Sequence, residues 1–253
     1  MISISLVSHD QISLVYRLFE SMEKVLRGEI PLEVILTENR KRSIVPPKEM
    51  PGMSIRTLVN KRSHGLAKNH NQAFKIATGD YFCVINPDVL FIEDVFPRLI
   101  DHMEMGGIDI VAPLVVDEHA MPQDSFRDLP TPMDLLQRRL GKRKGYSLPF
   151  VSGEIIYPDW IAGIFLLMRA ETYDQLGGFD EGYRLYFEDV DFSCRARLSD
   201  MTLGVVTNCR IVHEARRASQ RSPRHFLWHL LSAARFFTSP VYWQSRAARY
   251  ASK

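Results

Sequence analysis

Over the first 116 positions, short apolar runs alternate with stretches of helical spacing. Residues 2–7 alternate apolar side chains with serine before the polar Ser8-His9-Asp10, which predicts a strand that ends in a loop. Leu14, Leu18, Met22, Val25 and Leu26 share one face of a helix over residues 11–26. A second strand over 32–36 runs out into Thr37-Glu38-Asn39, and a third over 55–59 ends at Asn60. A helix is expected over 65–77, where Leu66, Asn69, Ala73 and Ala77 lie near one another, with Gly79 in the position favoured for a C-terminal glycine. Tyr81 to Ile85 form an unbroken apolar run, as a strand covered on both faces requires. Asn86-Pro87-Asp88 then stops it, because proline cannot donate to a ladder, and delivers the Asp88 carboxylate just beyond the strand end.

A helix over 93–104 and a strand over 108–116 follow. From 117 to 158 the periodicity dissolves into prolines and charges, including the basic run 138–144, and a loop this long is usually a functional lid or an insertion. Order returns at Asp159-Trp160, with a strand over 164–168, a helix over 170–176 and a Gly177-Gly178 turn. Next come a helix opened by Glu188-Asp189-Val190-Asp191 and a last strand over 203–212 that delivers His213. Strands alternating with helices, each with a polar end, predict an α/β fold with a doubly wound, largely parallel sheet, whose ligands sit at the carboxyl ends of the strands.

Composition adds little to this: 45% of the 253 residues are hydrophobic and 25% charged, as in an ordinary globular protein. No run reaches the roughly 18 apolar residues of a membrane span, and Met1-Ile2-Ser3 lacks the basic flank of a signal peptide, so a soluble, cytoplasmic chain is expected. Cys83, Cys194 and Cys209 are few and far apart, which fits buried thiols. Charge is uneven. Residues 215–253 hold seven Arg, one Lys and no acid; subtracting that +8 from the total of +2 leaves −6 for residues 1–214.

The strand ends and loops collect Asp10, Glu38, Asn39, Asp88, Glu188, Asp189, Asp191 and His213. Their order and content resemble the family 2 glycosyltransferases of GT-A fold, and among them the rhamnosyltransferase-like members. Asn86-Pro87-Asp88 stands where that family has its D-x-D-like metal motif, and Gly178-Phe179-Asp180-Glu181 followed by Glu188-Asp189-Val190-Asp191 stands at its catalytic helix. This chain has His9-Asp10 where the family commonly has Tyr-Asn, and Glu38-Asn39 where it has Asp-Asn. The resemblance covers nearly the whole chain. It divides residues 1–214 into a nucleotide-sugar-binding half (1–116), a loop or lid (117–158) and an acceptor-binding and catalytic half (159–214).

The resemblance implies an inverting transfer from a nucleoside diphosphate sugar, with dTDP-rhamnose favoured over a UDP-sugar, to a saccharide or lipid-linked acceptor in cell-surface polysaccharide synthesis. Asp88 and His213 would hold Mn²⁺ or Mg²⁺, a donor pair suited to such ions. Ser8, Asp10, Glu38, Asn39, Gly65, Asn69 and Asn86 would face the nucleotide. Asp189 would act as base with Glu188 orienting it or the acceptor, while Asp191 could instead pair with Arg195 four residues on. Trp160, Gly163, Asp180 and Glu181 would meet the acceptor; Trp160 serves equally well as a sugar platform or as core. A nucleotidyltransferase also places acids at strand ends, but it needs a Gly-rich basic phosphate loop that Ser8-His9-Asp10-Gln11 does not provide. An idle sugar-nucleotide-binding subunit would not need Asp88 together with Glu188-Asp189. For the basic, aromatic residues 215–253, an amphipathic helix packed on the domain competes with peripheral attachment to an anionic inner leaflet; no nucleic-acid module is recognisable.

Overall fold

A computed structural model of the chain describes residues 1–40, 51–139, 153–214 and 223–251. Arg143, Arg216, Arg217 and Arg221, with much of the basic charge read from the sequence, lie outside the described residues.

Six strands point the same way. The first half supplies β1 (Ile2–Ser8), β2 (Leu32–Glu38), β3 (Met53–Val59) and β4 (Tyr81–Ile85), in spatial order β3-β2-β1-β4 and all parallel. The order reverses between β1 and β4, and Ser8, Glu38 and Val59 lie in register at one edge, so the first three strand ends and Asn86 meet there. Beyond β4 come β10 (Phe165–Arg169), β6 (Ile110–Val116), β11 (Leu203–His213) and β5 (Val89–Phe91). Strand β10 is antiparallel to both β4 and β6, so β6 and its parallel neighbour β11 point the same way as β4. Their ends, Val116 and His213, therefore reach the same edge.

Two apolar layers cover this sheet. Helices α1 (Ile12–Val25) and α3 (Phe96–Gly106) bury Leu18, Phe19, Met22, Leu99 and Met103 against one face. Helix α2 (Leu66–Phe74), α5 (Ala170–Gln175) and α6 (Glu188–Leu198) cover the other, where Phe82, Tyr173, Phe179 and Phe192 pack ring to ring. The three cysteines are free and buried, as expected.

Three sequence expectations change. Residues 117–158 are not wholly irregular: β7 (Phe126–Arg127) pairs with β9 (Trp160–Ile161), α4 spans Pro132–Arg139, and β8 (Ile155–Ile156) pairs with β11. The three residues after Asp88 form the edge strand β5, too short for a periodicity to announce it. Helix α2 ends at Phe74, well before Gly79, and a Cβ at Gly79 would stand 2.7 Å from Ser3 N; glycine is needed there for close passage beside β1, not as a helix cap.

The C-terminal region is two helices, α7 (Pro223–Thr238) and α8 (Pro240–Ala251), broken at Pro240. They pack on the domain. Ala233, Phe236 and Tyr242 join Leu129, Trp160, Tyr183, Phe187 and Val190 in a third apolar cluster. Leu227, Leu230, Leu231 and Trp243 remain more than half exposed, so packing accounts for only one face of these helices.

Candidate active site

The short pairing of β5 with the end of β11 sets Val89 opposite His213, which brings Asp88 alongside the imidazole. His213 Nε2 lies 3.4 Å from Asp88 Oδ1. Gln123 fixes the ring: its Nε2 donates to the His213 carbonyl oxygen at 2.6 Å, so its Oε1 is the end that accepts from His213 Nδ1 at 2.8 Å. The Nδ1 proton is thereby assigned, and in the neutral ring the Nε2 lone pair faces Asp88. Asp88 Oδ1 is buried without a hydrogen-bond partner. Two donors about 2.1 Å from one ion, at near right angles, stand about 3 Å apart, so the pair fits a divalent cation. A histidine anchored through its second nitrogen is the usual outer support of such a ligand. Among the described residues there is no group of three or more His, Cys, Asp or Glu that could hold a metal.

The carboxylates of α6 form a second centre. Glu188 and Asp189 line a cavity of about 250 Å³ with Asn86, Arg127, Trp160, Gly163, Tyr186 and His229. Asp189 accepts from Gly163 N–H at 3.0 Å. Glu188 is 5% exposed, and its Oε2 has no partner. Burial and the neighbouring Asp189 charge push the Glu188 carboxyl well above the ordinary range, and burial raises Asp189 as well. Asp189 has more compensation than Glu188, from the N–H groups of Gly163 and Val190 and from the Arg127 charge, whereas Glu188 has only its own N–H. The arrangement therefore favours a protonated Glu188 beside an ionised Asp189. Asp191 points elsewhere and pairs with Arg195 Nε at 2.8 Å, as its spacing predicts.

Helix α6 is entered through strained backbone. Tyr186 and Phe187 both have positive φ, 71° and 66°. For side chains other than glycine this costs roughly 1–2 kcal/mol per residue, and such strain persists only where the surroundings enforce it.

Most of the other expected residues make contacts within the protein. Asn69 is fully buried, accepting from Asn60 Nδ2 at 2.6 Å. Asn39 is spent on the neighbouring loop: its Oδ1 accepts from His64 N–H and Asn60 Nδ2, and its Nδ2 donates to the His64 carbonyl oxygen. Ser8 Oγ accepts from Gln11 N–H at the start of α1. At Gly65 it is the protein's own backbone that comes close: a Cβ there would lie 2.8 Å from Arg184 O, which accepts from Leu66 N–H. Asp10 and Glu38 remain at the strand edge, the first facing Arg40 at 3.4 Å and the second 2% exposed. Asp180 and Glu181 do not reach the cavity; Asp180 accepts from Arg235 at 2.7 Å and Glu181 from Asn71 at 3.2 Å. Trp160 is mainly core, 8% exposed, with its indole N–H donated to the Asp128 carbonyl oxygen and one edge on the cavity. The sequence reading missed Gln123 and Arg127, both within the aperiodic stretch; the Arg127 guanidinium lies 5.4 Å from the centroid of the Trp160 ring.

The family model for Glycosyl transferase family 2 matches residues 6–173. Rhamnosyltransferase WbbL of Escherichia coli (strain K12) is 26% identical over 250 residues, covering 93% of this chain and 92% of that protein. N-acetylglucosaminyl-diphospho-decaprenol L-rhamnosyltransferase of Mycobacterium tuberculosis is 24% identical over 224 residues, covering 80% and 73%. The crystal structure of GalNAc-T7 with UDP, GalNAc and Mn²⁺ superposes with a TM-score of 0.61 at 16% identity, over 84% of this chain and 43% of that one. S. aureus TarS 1-349 in complex with UDP gives 0.58 at 14% identity, over 94% and 66%. At these identities the structures share the fold.

Proposed function

Because the chain belongs to glycosyl transferase family 2, and is a rhamnosyltransferase-like glycosyltransferase, we propose that it moves L-rhamnose from dTDP-rhamnose to a lipid-linked saccharide, with inversion and with a divalent cation. The observation that carries the reading is the Glu188–Asp189 pair in a sugar-sized cavity that also reaches Asn86, two residues from Asp88. The two rhamnosyltransferase relatives support the sugar, and the decaprenol-linked acceptor in the second one's name supports the acceptor class.

Asp88 and His213 would hold the cation, Mn²⁺ or Mg²⁺, with donor phosphates completing its shell. When bound, it would supply Lewis-acid stabilisation of the charge developing on the departing diphosphate. Asp10 and Glu38 lie at the strand edge where the nucleoside would rest. Asp189, kept ionised by Gly163 N–H and Arg127, would take the proton of the acceptor hydroxyl as that oxygen attacks the sugar carbon opposite the leaving group. Glu188, kept protonated by burial, would donate a hydrogen bond within the same cavity and spare Asp189 a like charge.

No helix among the described residues is long and apolar enough to cross a membrane. The exposed Leu227, Leu230 and Leu231, on a region with eight basic and no acidic residues, support peripheral contact with an anionic leaflet, where a lipid-linked acceptor would reside.

A transfer assay tests the proposal: dTDP-rhamnose or UDP-sugars with an N-acetylglucosaminyl diphosphate lipid, in Mn²⁺, Mg²⁺ or EDTA. Metal-dependent transfer of rhamnose to the lipid is expected. Transfer from UDP-sugars alone would overturn the donor, and full activity in EDTA would overturn the cation.

A further inference from the structure

We propose that helix α7 is a positioning element for the catalytic carboxylates, acting through Ser232 and His225 on the left-handed pair Tyr186-Phe187. For its kinetic part the inference rests on the transferase reading above. It begins with the strain: two consecutive bulky aromatic residues with positive φ sit directly before Glu188 and Asp189, and nothing intrinsic to their side chains favours that backbone.

One face of α7 supplies the restraint. His225, His229, Ser232 and Phe236 recur at helical spacing, and each meets the entry loop. Tyr186 Oη lies within hydrogen-bonding distance of His225 Nδ1, at 3.0 Å. The His229 ring lies 5.3 Å from that of Tyr186 and 5.4 Å from that of Phe187. Ser232 Oγ donates to the Leu185 carbonyl oxygen at 2.9 Å, pinning the peptide just ahead of the strained pair. The Phe236 ring, fully buried, closes on Phe187 at 5.5 Å. One residue to the side, Arg235 binds Asp180 and lies over Tyr183, fixing the earlier part of the same loop.

The other side of the loop is held independently, by Leu66 N–H donating to the Arg184 carbonyl oxygen at the start of α2. The segment is thus clamped between the donor half and α7. If α7 relaxed, Tyr186 and Phe187 would revert toward negative φ, and the first turn of α6, with Asp189 on it, would turn away from Gly163. Neither Ser232 nor His225 lines the cavity, so their effect on chemistry would pass through backbone position alone.

The test uses the full chain carrying Ser232→Ala and His225→Ala together. The expected result is a fall in kcat of roughly tenfold, from two lost hydrogen bonds, with KM for dTDP-rhamnose within about twofold. Amide exchange should quicken over residues 186–190 and stay unchanged in β4. Unchanged exchange over 186–190, equal quickening in β4, or faster local exchange with unaltered kcat would each overturn the proposal. If the unaltered chain transfers no rhamnose, the transferase reading fails on that ground, and the exchange comparison alone decides whether α7 holds the loop.

Discussion

His213 Nε2 and Asp88 Oδ1 stand 3.4 Å apart across the ladder between β5 and β11, with the imidazole proton committed to Gln123 on the far side of the ring. Two atoms rich in lone pairs are thus brought together by a backbone ladder that does not depend on the Asp88 side chain. Asp88→Ala should therefore leave the fold intact and abolish Mn²⁺-dependent binding of dTDP. Calorimetric titration checks this, and an unchanged Mn²⁺-dependent affinity would remove Asp88 from the metal assignment.

Gln123→Leu removes the acceptor that fixes the tautomer while touching neither donor. Loss of such outer support typically weakens metal binding about 10- to 100-fold. Manganese binding followed by electron paramagnetic resonance should show this loss, with Gln123→Glu retaining more affinity than the leucine variant. Equal affinity in all three proteins would make Gln123 a bystander.

Asp189→Asn keeps the shape of the side chain and removes its capacity to accept a proton. Transfer should fall roughly 100- to 10,000-fold with donor affinity preserved. Should Glu188→Gln prove the more damaged variant in the same assay, the roles of the two neighbours are exchanged.

The raised carboxyl of Glu188 also has a thermodynamic consequence of definite sign. Its folded pKa lies above the ordinary 4.5, so above that pH the native state holds more protons at this site than the unfolded chain, and stability falls as pH rises. Glu188→Gln abolishes this titration. The melting temperature of the variant, relative to the unaltered chain, should increase from pH 5 to pH 8; a constant difference would mean that the carboxyl titrates normally.

Changing Leu227, Leu230 and Leu231 to Ser should weaken sedimentation with vesicles containing anionic lipid, and added salt should weaken it further, because exposed charges are screened beyond about 8 Å at physiological ionic strength. Equal binding to neutral and anionic vesicles would discard the electrostatic component, and absence of binding to both would discard the contact.

Legibility in the sequence followed periodicity. Strands β1 to β4 and β6 were readable because runs such as Tyr81-Phe82-Cys83-Val84-Ile85 match the sheet's burial, and Asp88, Glu188 and Asp189 stood out because polar residues abruptly ended or began such runs. The i,i+4 relation of Asp191 to Arg195 also appears in three dimensions. Gln123 and Arg127 were invisible because their elements are two residues long or absent, and their importance lies in partners 90 and 33 positions away, His213 and Trp160. Asn39, Asn69 and Gly65 show why a strand-end or helix-start residue is ambiguous in sequence: each has a partner in a neighbouring loop or strand end, and only the full set of partners shows whether it also serves a ligand.

Strand β10 lies between β4 and β6, antiparallel to both. The seam between the two halves of the sheet is thus closed by residues 165–169, synthesised some fifty positions after β6. Until they emerge, β4 and β6 each present an open edge to solvent. The first 116 residues carry most of the strands, yet excised they would expose a row of unpaired main-chain donors and acceptors along β4 and β6, and during synthesis that edge must wait for a later segment. Until β10 arrives, the nascent chain carries unpaired strand edges of the kind that make folding intermediates prone to aggregate.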